Sequence, residues 1–434
     1  MDTSGEILAI DLGSTRFKVA VFDRRLTRLR QGTAPIEHEF GPGGAVEIHG
    51  KAVIKALSLA LAEVWDPAAG SRPRAVVMTS QAQTFTILDA AGQSRIPFIS
   101  WQDSRSEEAC AALAKDETLR DFSDHSSFSE LIPGMQIGHL RRLRDKDPGL
   151  IQFSDKVVLL PTYVAWMLTG TLVADTNLAA MSGLFSLKLG DWWPAALHAA
   201  GVTRSQLPSL VASGAVAAVT GPGASRFGLP AGVPVVMAGN DQTAGAYGAS
   251  IETEDAVLIT LGTAQVAYEV SDRLAPAVPG LIRGTYPGNR YYRMAADSCG
   301  GSIINWAQTI LAGCGDEASF IARAAEADSG CGGLRFDAGL PERTGMWSHI
   351  GVQHRPGDFA RSILEHLSAR MARMLAIVEE KPGRKALMVA GGGSEFILWR
   401  EILEQTLGRP LRKTSASPLE GAARMWAMGD KDIL

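Results

Sequence analysis

Two short turns carry the donors that a polyphosphate needs. Gly13, with Ser14 and Thr15, follows the apolar run Ile7–Ile10, and Gly262 with Thr263 follows Val257–Leu261. A tight turn of this composition presents backbone N–H groups and hydroxyls on one side. Asp11 ends the first run and sets a carboxylate beside that anion site. Two negative groups so close repel unless a cation lies between them, and Mg²⁺, held through one carboxylate and retained waters, suits the position. The charge pattern points to a metal-nucleotide. Taken singly, either turn also reads as an ordinary hairpin, because Gly, Ser, Thr and Asp are the residues such turns use. There is no Gly-x-x-x-x-Gly-Lys-Ser/Thr loop and no strand-following Gly-x-Gly-x-x-Gly, so neither a P-loop nor a Rossmann account has support.

The elements that must position these turns alternate. Ile7–Ile10, Lys18–Phe22, Ala75–Thr79, Thr84–Leu88, Val235–Ala238, Val257–Leu261, Gln265–Val270 and Leu387–Ala390 read as strands. Helix-period faces lie between them: Val53, Leu57, Leu61, Val64 and Trp65 form one, and Phe359, Ile363, Leu367, Met371, Leu375 and Val378 form another. The fold class is α/β. A strand, a polar Gly turn and a returning strand occur at both Ile7–Phe22 and Val257–Tyr268, an internal echo that predicts two similar domains facing each other across a cleft. Gly and Pro accumulate at Leu229–Pro234, which places the boundary between domains of residues 1–233 and 234–434.

The 434 residues exceed one simple core, at roughly 100–150 residues per domain. Hydrophobic residues make up 46% and charged ones 20%, the balance of a globular protein. Lys and Arg number 42 against 46 Asp and Glu, a net −4 that argues against nucleic acid or an anionic membrane and for a small-molecule partner. The N-terminus lacks a basic stretch leading into an apolar one, and no run reaches the ~20 apolar residues of a membrane span, so a cytoplasmic location is expected. Cys110, Cys299, Cys314 and Cys331 form no Cys-x-x-Cys pair, and the eight histidines have no metal-ligand spacing. Reduced thiols and no protein-held transition metal are expected.

The first turn, the segment Ala238-Gly239-Asn240-Asp241-Gln242-Thr-Ala-Gly, the Gly262-Thr263 turn and Ala390-Gly-Gly-Gly393 occur in the order and spacing of the FGGY carbohydrate kinases, which the chain resembles over nearly its whole length. The resemblance implies two actin-like (ribonuclease H-like) domains around a catalytic cleft and transfer of phosphate from ATP to a hydroxyl of a small sugar or polyol. Such transfer needs alignment, charge neutralisation and a destination for the hydroxyl proton. Asp241, after an apolar strand and before the small-residue segment Thr243–Ala249, is the candidate general base, a role worth roughly 10²–10⁴-fold. The competing reading is that Asn240 or Asp241 merely caps that helix. By the same resemblance, Asp11 is the Mg²⁺-nucleotide aspartate, Lys18 belongs to the first phosphate hairpin, and Gly301, Gly392 and Gly393 line the adenosine pocket. The helix opening at Ser417-Pro-Leu-Glu420-Gly421 matches the family's last helix start. Usual members continue beyond it, so a compact version is expected, and a homodimer is admitted rather than required.

Ser80-Gln81-Ala82-Gln83 and Trp101-Gln102-Asp103-Ser104-Arg105 look like the family's substrate loops. Gln81, Gln83, Trp101 and Asp103, with Asp241 and Gln242, are the candidate sugar ligands. Asp103 also reads as a cap for Glu107–Leu113 and Trp101 as core. Glycerol kinases carry Arg-Glu where Ala82-Gln83 stands, which turns expectation toward a ketose, a D-xylulose-like pentulose or sedoheptulose. Gly138-His-Leu-Arg141 replaces the family's Lys-x-x-Trp. A non-catalytic ATP- or sugar-sensing protein and an actin-like ATPase without a sugar acceptor are the competing functions.

Overall fold

Every residue of the strand Ile7–Leu12 is buried, which is why Ile7–Ile10 are apolar at consecutive positions rather than at alternate ones. The computed structural model describes residues 5–67, 72–311, 313–339 and 344–429. Ile7–Leu12 pairs antiparallel with Arg16–Phe22 and parallel with Ala75–Ser80. Ala75–Ser80 pairs in parallel with Pro234–Asn240, and Val216–Val219 and Arg28–Pro35 close the two edges of this six-stranded sheet. The helix Gly50–Ala62 buries Val53, Ala56, Leu57, Ala60 and Leu61, the face expected from its periodicity. A separate five-stranded sheet, which includes Phe85–Leu88, Phe98–Ile99 and Lys156–Leu159, positions the loops that begin at Gln81 and Trp101.

The echo in the sequence is an echo in topology. Ala256–Leu261 pairs antiparallel with Gln265–Ser271 and parallel with Ala386–Ala390, repeating the arrangement around Ile7–Leu12. Leu411–Lys413 extends that sheet. The 23-residue helix Pro356–Val378 buries Ile363, Leu367, Met371, Leu375 and Val378.

Two compact units result. One holds the residues up to Gly248 with Asp272–Tyr292 and the segment from Ser417 onward; the other holds Ala249–Ser271 and Arg293–Ala416. The chain leaves its first unit after Gly248, whereas the sequence placed the split at 233/234. The reason is pairing: Pro234–Asn240 is an inner strand of the first sheet. The helix Pro418–Gly429 also returns to that unit, where Leu419, Ala422, Ala423 and Met425 join the core formed by Ile7, Ala9, Val77 and Val236. All four cysteines are buried and none is disulfide-bonded. Among the described residues, no helix is long and apolar enough to cross a membrane.

Candidate functional site

Asp11 and Lys18 face each other because the register of the first hairpin makes them partners. Lys18 Nζ lies 3.5 Å from Asp11 Oδ2, whereas the buried Oδ1 has no hydrogen-bond partner among the described residues. Burial, and then the Asp241 carboxylate, push the Asp11 carboxyl up to about 7, with Lys18 opposing. An almost buried carboxylate with one uncompensated oxygen is short of positive charge, and a cation would supply it. No cluster of three His, Cys, Asp or Glu among the described residues could hold a metal. A cation on Asp11 would therefore draw its other ligands from water and phosphate, the usual habit of Mg²⁺. The residues fit that ion. At the bend itself Ser14 is half-buried and Thr15 exposed, and a Cβ on Gly13 would come within 2.8 Å of Arg16 O.

Asp241 stands at the start of the helix Asp241–Gly248, directly after the strand Pro234–Asn240. Asn240 does the capping: its Oδ1 accepts the N–H of Thr243 at 2.7 Å. The Asp241 carboxylate accepts the neighbouring Gln242 N–H at 2.8 Å. Asp241 and Gln242 are both half-buried. Desolvation raises the Asp241 carboxyl above the ordinary range, and the Gln242 N–H and Lys18 oppose the rise. Such a carboxylate binds a proton more readily than an exposed one.

What holds this turn in place is a buried polar network that sequence reasoning missed. Asp175 accepts the N–H of Asn177 at 2.7 Å, the Ser213 hydroxyl at 2.8 Å and the N–H of Gly239 at 3.0 Å. Asn177 accepts the N–H of Asn240 at 2.9 Å and donates to Thr243 Oγ1 at 3.0 Å and Thr285 O at 2.7 Å. Gly239 has φ +70°, and a Cβ there would sit 3.1 Å from Asn177 Oδ1. Only glycine meets both demands without strain. The available signal was Asp175 after the short apolar run Val173-Ala174, a helix-start pattern. From the other side, Gly421 of the last helix packs so tightly on Ala244 that a Cβ would lie 1.7 Å from Ala244 O.

The two predicted sugar loops are ordered by the residues proposed to bind sugar. Gln81 donates to Gly13 O at 3.3 Å and accepts from Thr84 Oγ1 at 3.1 Å, so it braces the first bend. Gln83 has φ +66° and donates to Met181 O at 3.1 Å. Trp101 is 42% exposed rather than core. Asp103 is 1% exposed and does not cap Glu107–Leu113, whose N-cap is Ser106. Its carboxylate accepts the N–H of Val46 at 3.0 Å, the N–H of Arg105 at 3.0 Å and the Arg105 guanidinium, with a closest approach of 2.6 Å. These bonds hold its carboxyl below the usual range against the opposing burial. In this structure Asp103 anchors its loop. His139, fully buried, lies 3.2 Å from Asp103 O, and burial pushes its imidazole down to about 4. A Cβ on Gly138 would come within 2.4 Å of Cys110 Sγ. Arg141 pairs with Asp145 on the same helix at 2.8 Å.

In the second unit, Gly262 and the exposed Thr263 form the bend, and Gly301 N donates to Gly262 O at 2.8 Å and Ser302 N to Thr263 O at 3.1 Å. Gly301 opens the helix Gly301–Ile310. A pocket of about 510 Å³ is lined by Gly391, Gly392, Ser394, Glu395, Lys413 and Thr414, among others. Gly392 lines it. Gly393 instead is buried behind it, where a Cβ would meet the Trp399 ring at 2.3 Å.

The description "FGGY family of carbohydrate kinases, N-terminal domain" matches residues 6–248, and the C-terminal domain of the same family matches residues 257–429. The chain is 26% identical over 369 residues to the xylulose kinase of Escherichia coli (strain K12), covering 81% of this chain and 75% of that protein. It is 26% identical over 356 residues to the L-fuculokinase of Escherichia coli O157:H7, covering 78% and 73%. The crystal structure of xylulose kinase from Rhodospirillum rubrum superposes with a TM-score of 0.87 at 24% identity, over 99% of this chain and 91% of that one, which establishes the two-domain actin-like fold. With both domains matched in order and nearly end to end, the chain belongs to the FGGY family of carbohydrate kinases.

Proposed function

We propose that this carbohydrate kinase transfers the γ-phosphoryl group of ATP to a hydroxyl of a small ketose, a D-xylulose-like pentulose or sedoheptulose, with Asp241 as general base. One observation carries the reading: Asp241 is half-buried, relieved of the capping role by Asn240, and raised by desolvation toward the range of a working base. Asp241 takes the proton of the attacking hydroxyl, and Gln242 lies beside it at the mouth of the helix. Gln83 and Trp101 contact the sugar, while Gln81 and Asp103 hold the loops that present them. The bends Gly13–Thr15, with Lys18, and Gly262–Thr263 bind phosphate through backbone N–H groups and hydroxyls. Mg²⁺ held by Asp11 would offset the phosphate charge during transfer. Gly301, Gly392 and the Gly393 turn receive adenosine. A cytoplasmic setting fits ATP as donor.

A coupled ADP-release assay over a panel of ketoses and polyols tests this. Sugar-dependent release is expected, strongest with ketoses. Release that ignores sugar would mean an ATPase, and no release with any sugar would mean a sensor.

A further inference from the structure

The bend Gly262–Ala264 is closed by the Gly262 N–H on Ala264 O at 3.0 Å, and its two leading carbonyls are held by the turn that opens the helix Gly301–Ile310. That turn is located through Cys299. The Cys299 N–H donates to Asp297 Oδ1 at 2.9 Å, and its carbonyl accepts from Gln265 Nε2 at 3.0 Å. The other oxygen of Asp297 accepts from Arg370 Nε, and Arg370 Nη1 reaches Ala338 O at 3.4 Å. Arg370 rises from the helix Pro356–Val378, whose Leu367 carbonyl takes a further bond from Gln265 at 3.2 Å. Turn and bend are in backbone contact at Gly300, where a Cβ would lie 2.8 Å from Ala264 C and 2.9 Å from Gly262 O. In so close a contact, a displacement of Cys299 passes directly into the bend.

We infer that Arg370 and Asp297 are a positioning pair for the Gly262–Ala264 bend, setting the direction of the Thr263 and Ala264 N–H groups and thereby the affinity for nucleotide phosphates. This rests on the reading of that bend as a phosphate site. Both side chains are largely out of water, with 18% and 7% exposure, so removing Arg370 leaves an uncompensated carboxylate tied to Cys299 N.

The test is calorimetric titration of the full-length protein with ADP in excess Mg²⁺. Arg370→Met is expected to weaken ADP binding about tenfold and Asp297→Asn, which keeps an acceptor for Cys299, about threefold; in steady state the KM for ATP rises while kcat changes less. Arg361→Met is the control. It removes a comparable pair, with Glu365 at 2.9 Å on the same helix, that does not touch the turn, and it should leave ADP affinity within twofold. If Arg370→Met does not fold, Asp297→Asn carries the test. ADP affinity unchanged in the Arg370 and Asp297 variants, or equally weakened by Arg361→Met, would overturn the inference while leaving the kinase reading intact. Failure of the unaltered protein to bind ADP would overturn the phosphate-site reading and the inference with it.

Discussion

Truncating Asn177 to alanine tests whether the turn that carries Asp241, the proposed general base, is held from below. The Asn177 side chain is fully buried and makes three hydrogen bonds, to Asn240 N, Thr243 Oγ1 and Thr285 O. Its removal strips the buried Asn240 N–H and the part-buried Thr285 carbonyl of this partner. Each such loss costs about 1–3 kcal/mol, and partial rescue by an entering water favours the lower half of the sum, so about 3 kcal/mol is expected. At 1.4 kcal/mol per tenfold, local opening of the strand end becomes roughly a hundredfold more populated. Native-state hydrogen exchange of the Asn240 and Thr243 amides reads that directly, whichever sugar the enzyme uses. Asp241 follows Asn240 without an intervening residue, so kcat should also fall by about 10²-fold, the penalty of roughly 1 Å misplacement. Asn177→Asp, which keeps the acceptor for Asn240 and loses both donors, should fall between. Exchange rates within twofold of the parent, with kcat unchanged, would refute the claim that this network positions the base.

Two further outcomes follow from the packing. The His139 imidazole is pushed from its ordinary 6.5 to about 4; below pH 6.5 the unfolded chain binds the proton first, so stability is full above that pH and lost as pH falls toward 4. The loss, on the order of 3 kcal/mol, should flatten in His139→Gln when denaturation midpoints are compared across pH 4–7, and parallel slopes for the two proteins would contradict it. Gly421→Ala should separate the last helix from Asp241–Gly248, because Cβ would overlap Ala244 O. A cost of at least about 3 kcal/mol by denaturant unfolding is expected, and a near-neutral result would show that the two helices can slide apart freely.

What the sequence made legible were features written in consecutive residues. The buried strands were plain because Ile7–Leu12 and Ala256–Leu261 have no exposed position to interrupt their apolar runs. The bends were plain because Gly13 and Gly262 interrupt those runs. Arg28–Pro35 was not, since an edge strand with its first four residues exposed carries too little hydrophobic pattern. The Asp175–Asn177 network was hidden for a different reason: locally both residues look like caps, and only the pairing of Pro234–Asn240 with Ala75–Ser80 brings Gly239 and Asn240 to them. The same pairing moved the unit boundary past Gly248. Asp103 shows the limit for sites. Its residue type suits a sugar hydroxyl, yet Arg105, two residues on, claims the carboxylate.

The most direct measurement is made on Asp241→Asn, which keeps the size of the side chain and removes its basicity. Sugar-dependent ADP release should drop by about 10²–10⁴-fold while calorimetric ADP affinity and the unfolding midpoint stay near those of the parent. Turnover within a few-fold of the parent, in a folded protein that binds ADP normally, would contradict the assignment of Asp241 as the proton acceptor.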